Sequence, residues 1–327
     1  MKLKGLIYKT ESFVKTNKKW IGFFLVMIFT SYAIATVIIT NNDWISYLMA
    51  LVYIAGMIGS YIFVKNEEKK ATRIFNLNVI FAVLGTILTY EISSFGVSIV
   101  VSSALIGLIG YFIFNKYSVA IYTGSFAGMS SHLLFNRLEI LLIAILTALV
   151  YQIVKTAFNG YGGRLGTIAF ISTSFISFVF NKESLIAHQS YDIWLILLLS
   201  IGGTLVTWIL HNKFKQSPVL SSALPGLIIG LILGQLLSNY LIYSYVFFTA
   251  TFIGMANNLT IKNISESLFI GIILGLIFLS FFIFFNGYGG KMGLMAFISI
   301  VIGKTILDST KILKDYLFNK GKKTIIL

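Results

Sequence analysis

Long apolar runs separated by short polar stretches dominate the chain. Two of the apolar runs are short, at 117–132 and 243–259. The others approach the ~20 residues that an α-helix needs to cross a bilayer, and they lie at 20–40, 44–64, 74–94, 97–114, 138–157, 164–181, 190–210, 219–237, 267–285 and 291–306. The runs do not alternate like barrel strands, and backbone groups in lipid must bond within their own segment. The pattern predicts an all-α polytopic membrane protein with about 12 transmembrane helices.

One phrase of the sequence occurs twice. "FNGYGGRLGTIAFIS" begins at Phe158 and "FNGYGGKMGLMAFIS" begins at Phe285, with 11 of 15 positions identical at an offset of 127. Upstream, "TGSFAGM" pairs with "TATFIGM", "SSALIGLIG" with "SSALPGLIIG", and "GTILTY" with "GTLVTW", at offsets of 126, 119 and 118. The four matches keep the same order along the chain. We therefore infer an internal duplication of a five-helix unit.

The duplication divides the chain into four segments. We expect a basic N-terminus with a two-helix hairpin over 1–73, repeat A over 74–185, repeat B over 186–306, and a basic cytoplasmic tail over 307–327. Because five is an odd number, the second repeat is expected to enter the membrane from the opposite side. Such inverted repeats are typical of secondary transporters. By span count alone the chain resembles urea channels, sodium-coupled amino-acid transporters and bile-acid-type symporters, a resemblance that assigns no site residue.

The distribution of basic residues supports this topology. With twelve crossings and a cytoplasmic N-terminus, only Arg137, Lys182 and Lys291 of the 25 basic residues lie outside, which leaves 25 − 3 = 22 inside. The positive-inside rule favours that arrangement. If the two short runs are re-entrant instead, the repeats are parallel and the distribution becomes 20 inside and 5 outside. The inverted arrangement is favoured, and the parallel one stays open.

Charge also suggests where the protein resides. The formal net charge of +14 comes mostly from basic residues expected on the cytoplasmic side of the membrane, where anionic lipid of the inner leaflet attracts them. We expect a multi-pass protein of a bacterial plasma membrane with both termini in the cytoplasm, and a homo-oligomer is possible. A nucleic-acid partner would require a folded basic module, and none is visible.

The two short runs carry the candidate substrate path. Each combines small and polar residues, which suits a broken helix whose backbone and hydroxyl groups face a water-lined path. The same spacing also permits close helix packing, so both interpretations stay open. The path residues are Thr123, Ser125, Gly128, Ser130 and Ser131 in one copy, and Thr249, Thr251, Gly254, Asn257 and Asn258 in the other.

The duplicated phrase is the second candidate site. Its glycine-rich turn precedes a cation in the first turn of the next helix, a combination that can bind an anion or a lipid headgroup or act as a gate. A cation there opposes the helix dipole, so an acid, a carbonyl, a lipid phosphate or a substrate should hold it. A structural turn is the alternative. The loop residues are Asn159, Gly160, Tyr161, Gly162, Gly163 and Arg164, and Asn286, Gly287, Tyr288, Gly289, Gly290 and Lys291.

Several kinds of chemistry lack sequence support. Cysteine is absent, the three histidines (His132, His188 and His211) show no ligand spacing, and no acidic residue falls at the centre of a span. No nucleotide phosphate loop and no nucleophile–base set can be found. We therefore expect no metal, no cofactor and no enzymatic activity.

These observations favour transport. The sequence predicts a channel or a facilitative or secondary transporter that moves a small neutral or anionic solute through a mid-membrane site between the repeats. The alternative is a translocase or assembly partner for a lipid or lipid-linked headgroup, in which Arg164 and Lys291 recruit phosphate.

Overall fold

The computed structural model describes residues 2–66, 76–185, 190–237 and 240–324. Within these ranges the chain is helical, with an isolated bridge between Leu185 and Asn286. Eight of the described helices are long and apolar enough to cross a membrane, and three shorter apolar helices accompany them. The protein is therefore membrane-embedded and all-α, and twelve crossings stay a prediction. Basic residues at 67–75 and His188 lie outside the described residues.

The helices follow the predicted order. The hairpin consists of α1 (Lys2–Asn41) and α2 (Trp44–Asn66). The first five-helix set is α3 (Leu77–Ser94), α4 (Ile99–Ile113), α5 (Ser118–Gly128), α6 (Arg137–Val154) and α7 (Arg164–Val179). The second set is α8 (Ile193–Trp208), α9 (Pro218–Leu236), α10 (Tyr240–Gly254), α11 (Ile264–Phe281) and α12 (Lys291–Thr324).

Local sequence explains several of these boundaries. The Asn136 side chain accepts a hydrogen bond from the amide of Glu139, and the Glu139 carboxylate accepts one from the amide of Asn136, which closes a capping box at the start of α6. Asp192 caps α8 and Ser217 caps α9, where Pro218 takes the first helical position. A π-helical turn, Ile209–Lys213, continues α8.

The third helix of each set ends early. Helix α5 has only 11 residues, and its last residue, Gly128, contacts Thr86 and Thr89 of α3. The neighbouring helix α3 continues to Ser94, so the chain after Gly128 runs as irregular backbone alongside it. Helix α10 repeats this arrangement, because Gly254 contacts Thr207 while α8 and its π turn continue to Lys213.

The hairpin packs on the outside of the two five-helix sets. Gly22 of α1 contacts the backbone of α6 at Ile153 and Val154, and Gly56 of α2 contacts Thr305 and Val301 of α12. Thr30 and Tyr53 share a buried hydrogen bond between the two hairpin helices. The hairpin thus braces α6 and α12.

Equivalent helices of the two sets make equivalent contacts. Helix α3 packs along α5 and α6 in the first set, as α8 packs along α10 and α11 in the second. Between the sets, α4 packs against α9 and α7 packs against α12. Each of these two contacts joins a helix to its own sequence counterpart, as expected when a two-fold axis relates two copies of one fold.

The contact between α7 and α12 runs through the duplicated phrase. A Cβ added to Gly163 would meet the Gly293 carbonyl at 2.4 Å, and a Cβ added to Gly290 would meet the Gly166 carbonyl at 2.3 Å. Gly163 also faces Phe297, and Gly290 faces Phe170, so the residue numbers fall on one helix as they rise on the other. The two helices are therefore antiparallel where they cross.

Glycine is required at the start of both helices. Gly163 has φ +75° and Gly290 has φ +84°, a left-handed conformation that other residues adopt only with strain. Each also lies too close to the opposite helix for any side chain. Both properties explain why the two copies share this residue.

Candidate functional site

Two cavities lie within the helical bundle, and one copy of the duplicated phrase lines each of them. The first, which we name the Lys291 cavity, measures about 550 Å³. The second, the Arg164 cavity, measures about 280 Å³. Ligand pockets commonly span about 300 to 1,000 Å³. The larger cavity falls within that range, and the smaller one falls just below it.

The two cavities have equivalent linings. Asn286, Tyr288 and Lys291 line the first, and their sequence counterparts Asn159, Tyr161 and Arg164 line the second. The equivalence extends to the ends of the short helices, because the chain after α5 reaches the first cavity and the chain after α10 reaches the second. The matching pairs there are Met129 with Met255 and Ser131 with Asn257.

Each cavity carries one cationic side chain and one histidine. His132 lines the Lys291 cavity, and His211 lines the Arg164 cavity. His132 lies 2.9 Å from the Ser93 hydroxyl. No Asp or Glu occurs among the described residues that line either cavity.

Four aromatic rings form a cluster, and two of them line both cavities. Phe126 and Phe252 line both cavities, and their ring centroids lie 4.6 Å apart. Tyr122 packs on Phe126 at 4.4 Å, and Phe248 packs on Phe252 at 4.7 Å. We name these four residues the aromatic barrier. They come from α5 and α10, and the duplication pairs Tyr122 with Phe248 and Phe126 with Phe252.

Glycines on the neighbouring helices make space for the outer rings of the barrier. A Cβ on Gly107 of α4 would lie 2.6 Å from the Tyr122 ring, and a Cβ on Gly226 of α9 would lie 2.4 Å from the Phe248 ring. Gly107 and Gly226 are sequence counterparts. The rings thus occupy the same kind of niche in both repeats.

A hydroxyl network supports the barrier from one side. The Tyr122 hydroxyl and the Ser222 hydroxyl share a hydrogen bond of 2.9 Å, and Ser222 shares another of 2.7 Å with Thr251. In the other repeat, Ser103 and Ser125 share a bond of 2.9 Å. Phe248, the counterpart of Tyr122, has no hydroxyl and makes no such bond, so the network is asymmetric.

Backbone carbonyls hold the two cations of the phrase. Arg164 donates to the carbonyls of Lys155 at 3.0 Å and Ala157 at 3.1 Å, just past the end of α6. Lys291 donates to the Phe282 carbonyl at 2.8 Å and to the Asn286 side-chain oxygen at 2.6 Å. The C-terminal end of a helix carries partial negative charge. Of the four expected holders, the carbonyl is the one observed at both cations.

Most of the predicted path residues make hydrogen bonds or packing contacts within the protein and do not line either cavity. The Thr123 hydroxyl donates to the Val119 carbonyl and the Thr249 hydroxyl to the Tyr245 carbonyl, each within its own helix. The Ser130 hydroxyl donates to the Ala127 carbonyl and accepts a hydrogen bond from the amide of Gly289. All four hydroxyls of Thr123, Ser125, Thr249 and Thr251 are buried.

The remaining predicted path residues have three kinds of surroundings. Gly128 and Gly254 are packing contacts against α3 and α8, and Asn258 is exposed. Ser131 and Asn257 each line a cavity. Of the predicted loop residues, Gly289 contacts α5 and Gly162 contacts α10, so the loops also tie the two short helices in place.

Sequence reasoning did not single out the barrier rings. Phe126 and Phe252 belong to the repeated "T-x-[ST]-F-x-G-M" segment, and they are its only aromatic position conserved between the two copies. That coincidence was available in the sequence. His211 had no comparable signal, because its counterpart in the other copy is a different residue type.

No metal-binding group emerges from the described residues, which contain no cluster of three or more His, Asp or Glu side chains. Glu91 instead accepts two hydrogen bonds from Arg137, each of 3.0 Å. Comparison with protein-family models, with curated proteins and with solved structures finds no match. The function therefore has to be argued from the cavities themselves.

Proposed function

We propose that the protein is a channel or a facilitative or secondary transporter for a small neutral or anionic solute, which passes between the two five-helix repeats. The pair of equivalently lined cavities, which share two rings of the aromatic barrier, is the observation that carries this proposal. Inverted repeats in transporters form a substrate site at the interface between the repeats, which is reached from either face of the membrane. Two equivalent cavities that share Phe126 and Phe252 fit such an arrangement.

An inverted repeat with twelve crossings accounts for the paired cavities. Counterpart helices α7 and α12 cross in antiparallel fashion, which supports repeats that enter the membrane from opposite sides. In this arrangement the Lys291 cavity opens to the exterior and the Arg164 cavity to the cytoplasm. By the positive-inside rule, both termini then lie in the cytoplasm, next to anionic lipid of the inner leaflet. We propose that the membrane is a bacterial plasma membrane.

The irregular backbone after α5 and α10 supports a path at these points. Helix α5 is only about 16 Å long, so it covers half of a hydrocarbon core of about 30 Å. Non-helical backbone at membrane depth is tolerated where it is buried in protein or lines a cavity. Ser131 and Asn257 lie on these irregular segments and line the two cavities.

The barrier identifies the step that controls passage. The rings of Phe126 and Phe252 are buried and in contact, so a solute can pass only when they separate. Buried aromatic rings pack closely, and their displacement opens the constriction. In a channel this displacement opens a pore; in a transporter it accompanies the exchange of access between the cavities.

Flux measurements on the barrier test the proposal. Purified protein is placed in liposomes, and swelling is recorded with glycerol, acetate and 3-phenylpropionate as probes. Phe126→Ala with Phe252→Ala should raise the flux of at least one probe by about tenfold or more, equal to a barrier lowered by about 1.4 kcal/mol. Thr123→Val with Thr249→Val is the matched control, since these hydroxyls bond only to their own helices.

Two outcomes would refute the proposal. Wild-type proteoliposomes that pass none of the probes faster than protein-free liposomes, combined with an unaltered flux in the Phe126→Ala, Phe252→Ala pair, would exclude a path through the barrier. An equal rise in the threonine control would place the effect in helix packing rather than in the rings.

A further inference from the structure

The charge of the Lys291 cavity is not balanced by an acidic side chain. Lys291 bonds to two neutral oxygens, and none of the four ion pairs among the described residues includes it. The described lining contains no carboxylate. A cation compensated only by dipoles in apolar surroundings is unfavourable. A bound anion would relieve that cost.

Lys291 retains the means to bind such an anion. An ammonium group has three N–H donors, and the two acceptors observed use two of them. Ser131 and Tyr288 line the same cavity. The Tyr288 hydroxyl donates to the Lys182 carbonyl at 3.0 Å and shares a further hydrogen bond with the Ser177 hydroxyl, which fixes the position of the ring.

The side chains of the wall are apolar apart from those of Lys291, Ser131, His132, Asn286 and Tyr288. An inorganic anion would leave this apolar surface exposed to water, whereas a ligand with an apolar body would bury it. A volume of about 550 Å³ accommodates more than a simple ion. The apolar side chains of the wall include those of Phe126, Met129, Phe252, Phe278, Phe282 and Met295.

We propose that the Lys291 cavity binds an organic monoanion, with its negative group at Lys291 and its apolar body against Phe126 and Phe252. The proposal deepens the transport function argued above and rests on it for its physiological meaning. The Arg164 cavity has the same combination of a cation and an apolar wall. A solute that moves from one cavity to the other therefore meets the same chemistry twice.

Cysteine modification tests the charge of the cavity without knowledge of the natural solute. The chain has no cysteine, so Ser131→Cys introduces a single thiol at the cavity wall. The anionic reagent sulfonatoethyl methanethiosulfonate should react with it at least about tenfold faster than the cationic trimethylammonium analogue, as a cleft of one charge sign concentrates counter-ions. Lys291→Gln should abolish this preference, and Lys291→Arg should keep it.

A matched control removes a positive charge elsewhere on the same helix. Lys304 of α12 pairs with Asp308 and does not line the cavity, so Lys304→Gln should leave the preference for the anionic reagent intact. A preference absent from the Ser131→Cys protein, or equally large after Lys291→Gln, would overturn the proposal. Size-exclusion profiles of all variants establish that they are folded.

Protection by a probe ligand tests the apolar half of the proposal. Added 3-phenylpropionate should slow the modification of Ser131→Cys by a neutral thiol reagent, whereas chloride and 3-phenylpropanamide should not. Equal protection by the acid and the amide would show that charge plays no part. Protection by chloride alone would show that the apolar wall plays none.

Two further outcomes separate the possible sources and failures. An anionic lipid that co-purifies with the protein and is lost after Lys291→Gln would assign the monoanion to a lipid and overturn the free solute. Charge-selective modification with no flux through the barrier would refute the transport proposal and leave the binding site standing. Flux of neutral probes without charge-selective modification would refute the anion site and leave the transport proposal standing.

Discussion

Two glycines show how the packing of helices can dictate the residue type at a single position. Gly163 and Gly290 combine a positive φ angle with an approach to the opposite helix that leaves no space for a Cβ atom. The sequence shows that both copies of the phrase contain the glycine, but it does not show that each glycine contacts the other repeat. That contact, made where α7 and α12 cross, adds to the positive φ angle as a reason for glycine.

Alanine at either glycine should destabilise the protein. Gly163→Ala and Gly290→Ala each add a left-handed strain of about 1–2 kcal/mol and a steric overlap of similar cost, so a loss of at least about 2 kcal/mol is expected. The measurement is the thermal unfolding midpoint of the purified protein. Gly202→Ala is the control, because nothing lies within 4 Å of a Cβ at that position; an equal drop there would contradict the explanation.

The hydroxyl of Tyr122 should contribute a modest stabilisation. Tyr122→Phe removes its bond to Ser222 and leaves the ring in place, as the counterpart Phe248 already shows to be compatible with the fold. A net loss of about 1 kcal/mol is expected. A double-mutant cycle with Ser222→Ala measures the coupling, and strictly additive effects would mean that the bond contributes nothing.

At the scale of helices, much of the fold was predictable. The hairpin, the five-helix sets and their order follow from apolar runs and repeated segments, because burial in lipid imposes both. The glycine-rich loops that line the cavities were among the predicted site residues, but the aromatic side chains were not. A buried threonine such as Thr123 bonds to its own helix, whereas a phenylalanine such as Phe126 lines both cavities, and composition cannot distinguish these orientations.

The hairpin should stabilise the protein without taking part in passage. Helices α1 and α2 pack on α6, α7 and α12, and no described residue of the hairpin lines either cavity. Thr30→Val with Tyr53→Phe removes their shared hydrogen bond and should lower the thermal midpoint by the equivalent of about 1 kcal/mol. Probe flux per folded molecule should be unaltered, and a changed flux would assign the hairpin a part in gating.

At the scale of the whole molecule, many features of one repeat have a counterpart in the other. One carbonyl at each cation (Lys155 and Phe282), the glycines at the helix crossing and the rings of the barrier occur in counterpart pairs. The asymmetries include the size of the cavities, the second acceptor at each cation and the hydroxyl of Tyr122. Antiparallel copies of one fold occur in many secondary transporters, which is why this symmetry supports the proposed function.

Accessibility from the two sides of the membrane tests this account most directly. Ser131 and Asn257 are sequence counterparts that line different cavities, so single cysteines at these positions report on one cavity each. A membrane-impermeant thiol reagent added to intact cells should modify Ser131→Cys and spare Asn257→Cys, and inverted vesicles should give the opposite result. Modification of both cysteines from the same side would contradict the inverted repeat and the path between its cavities.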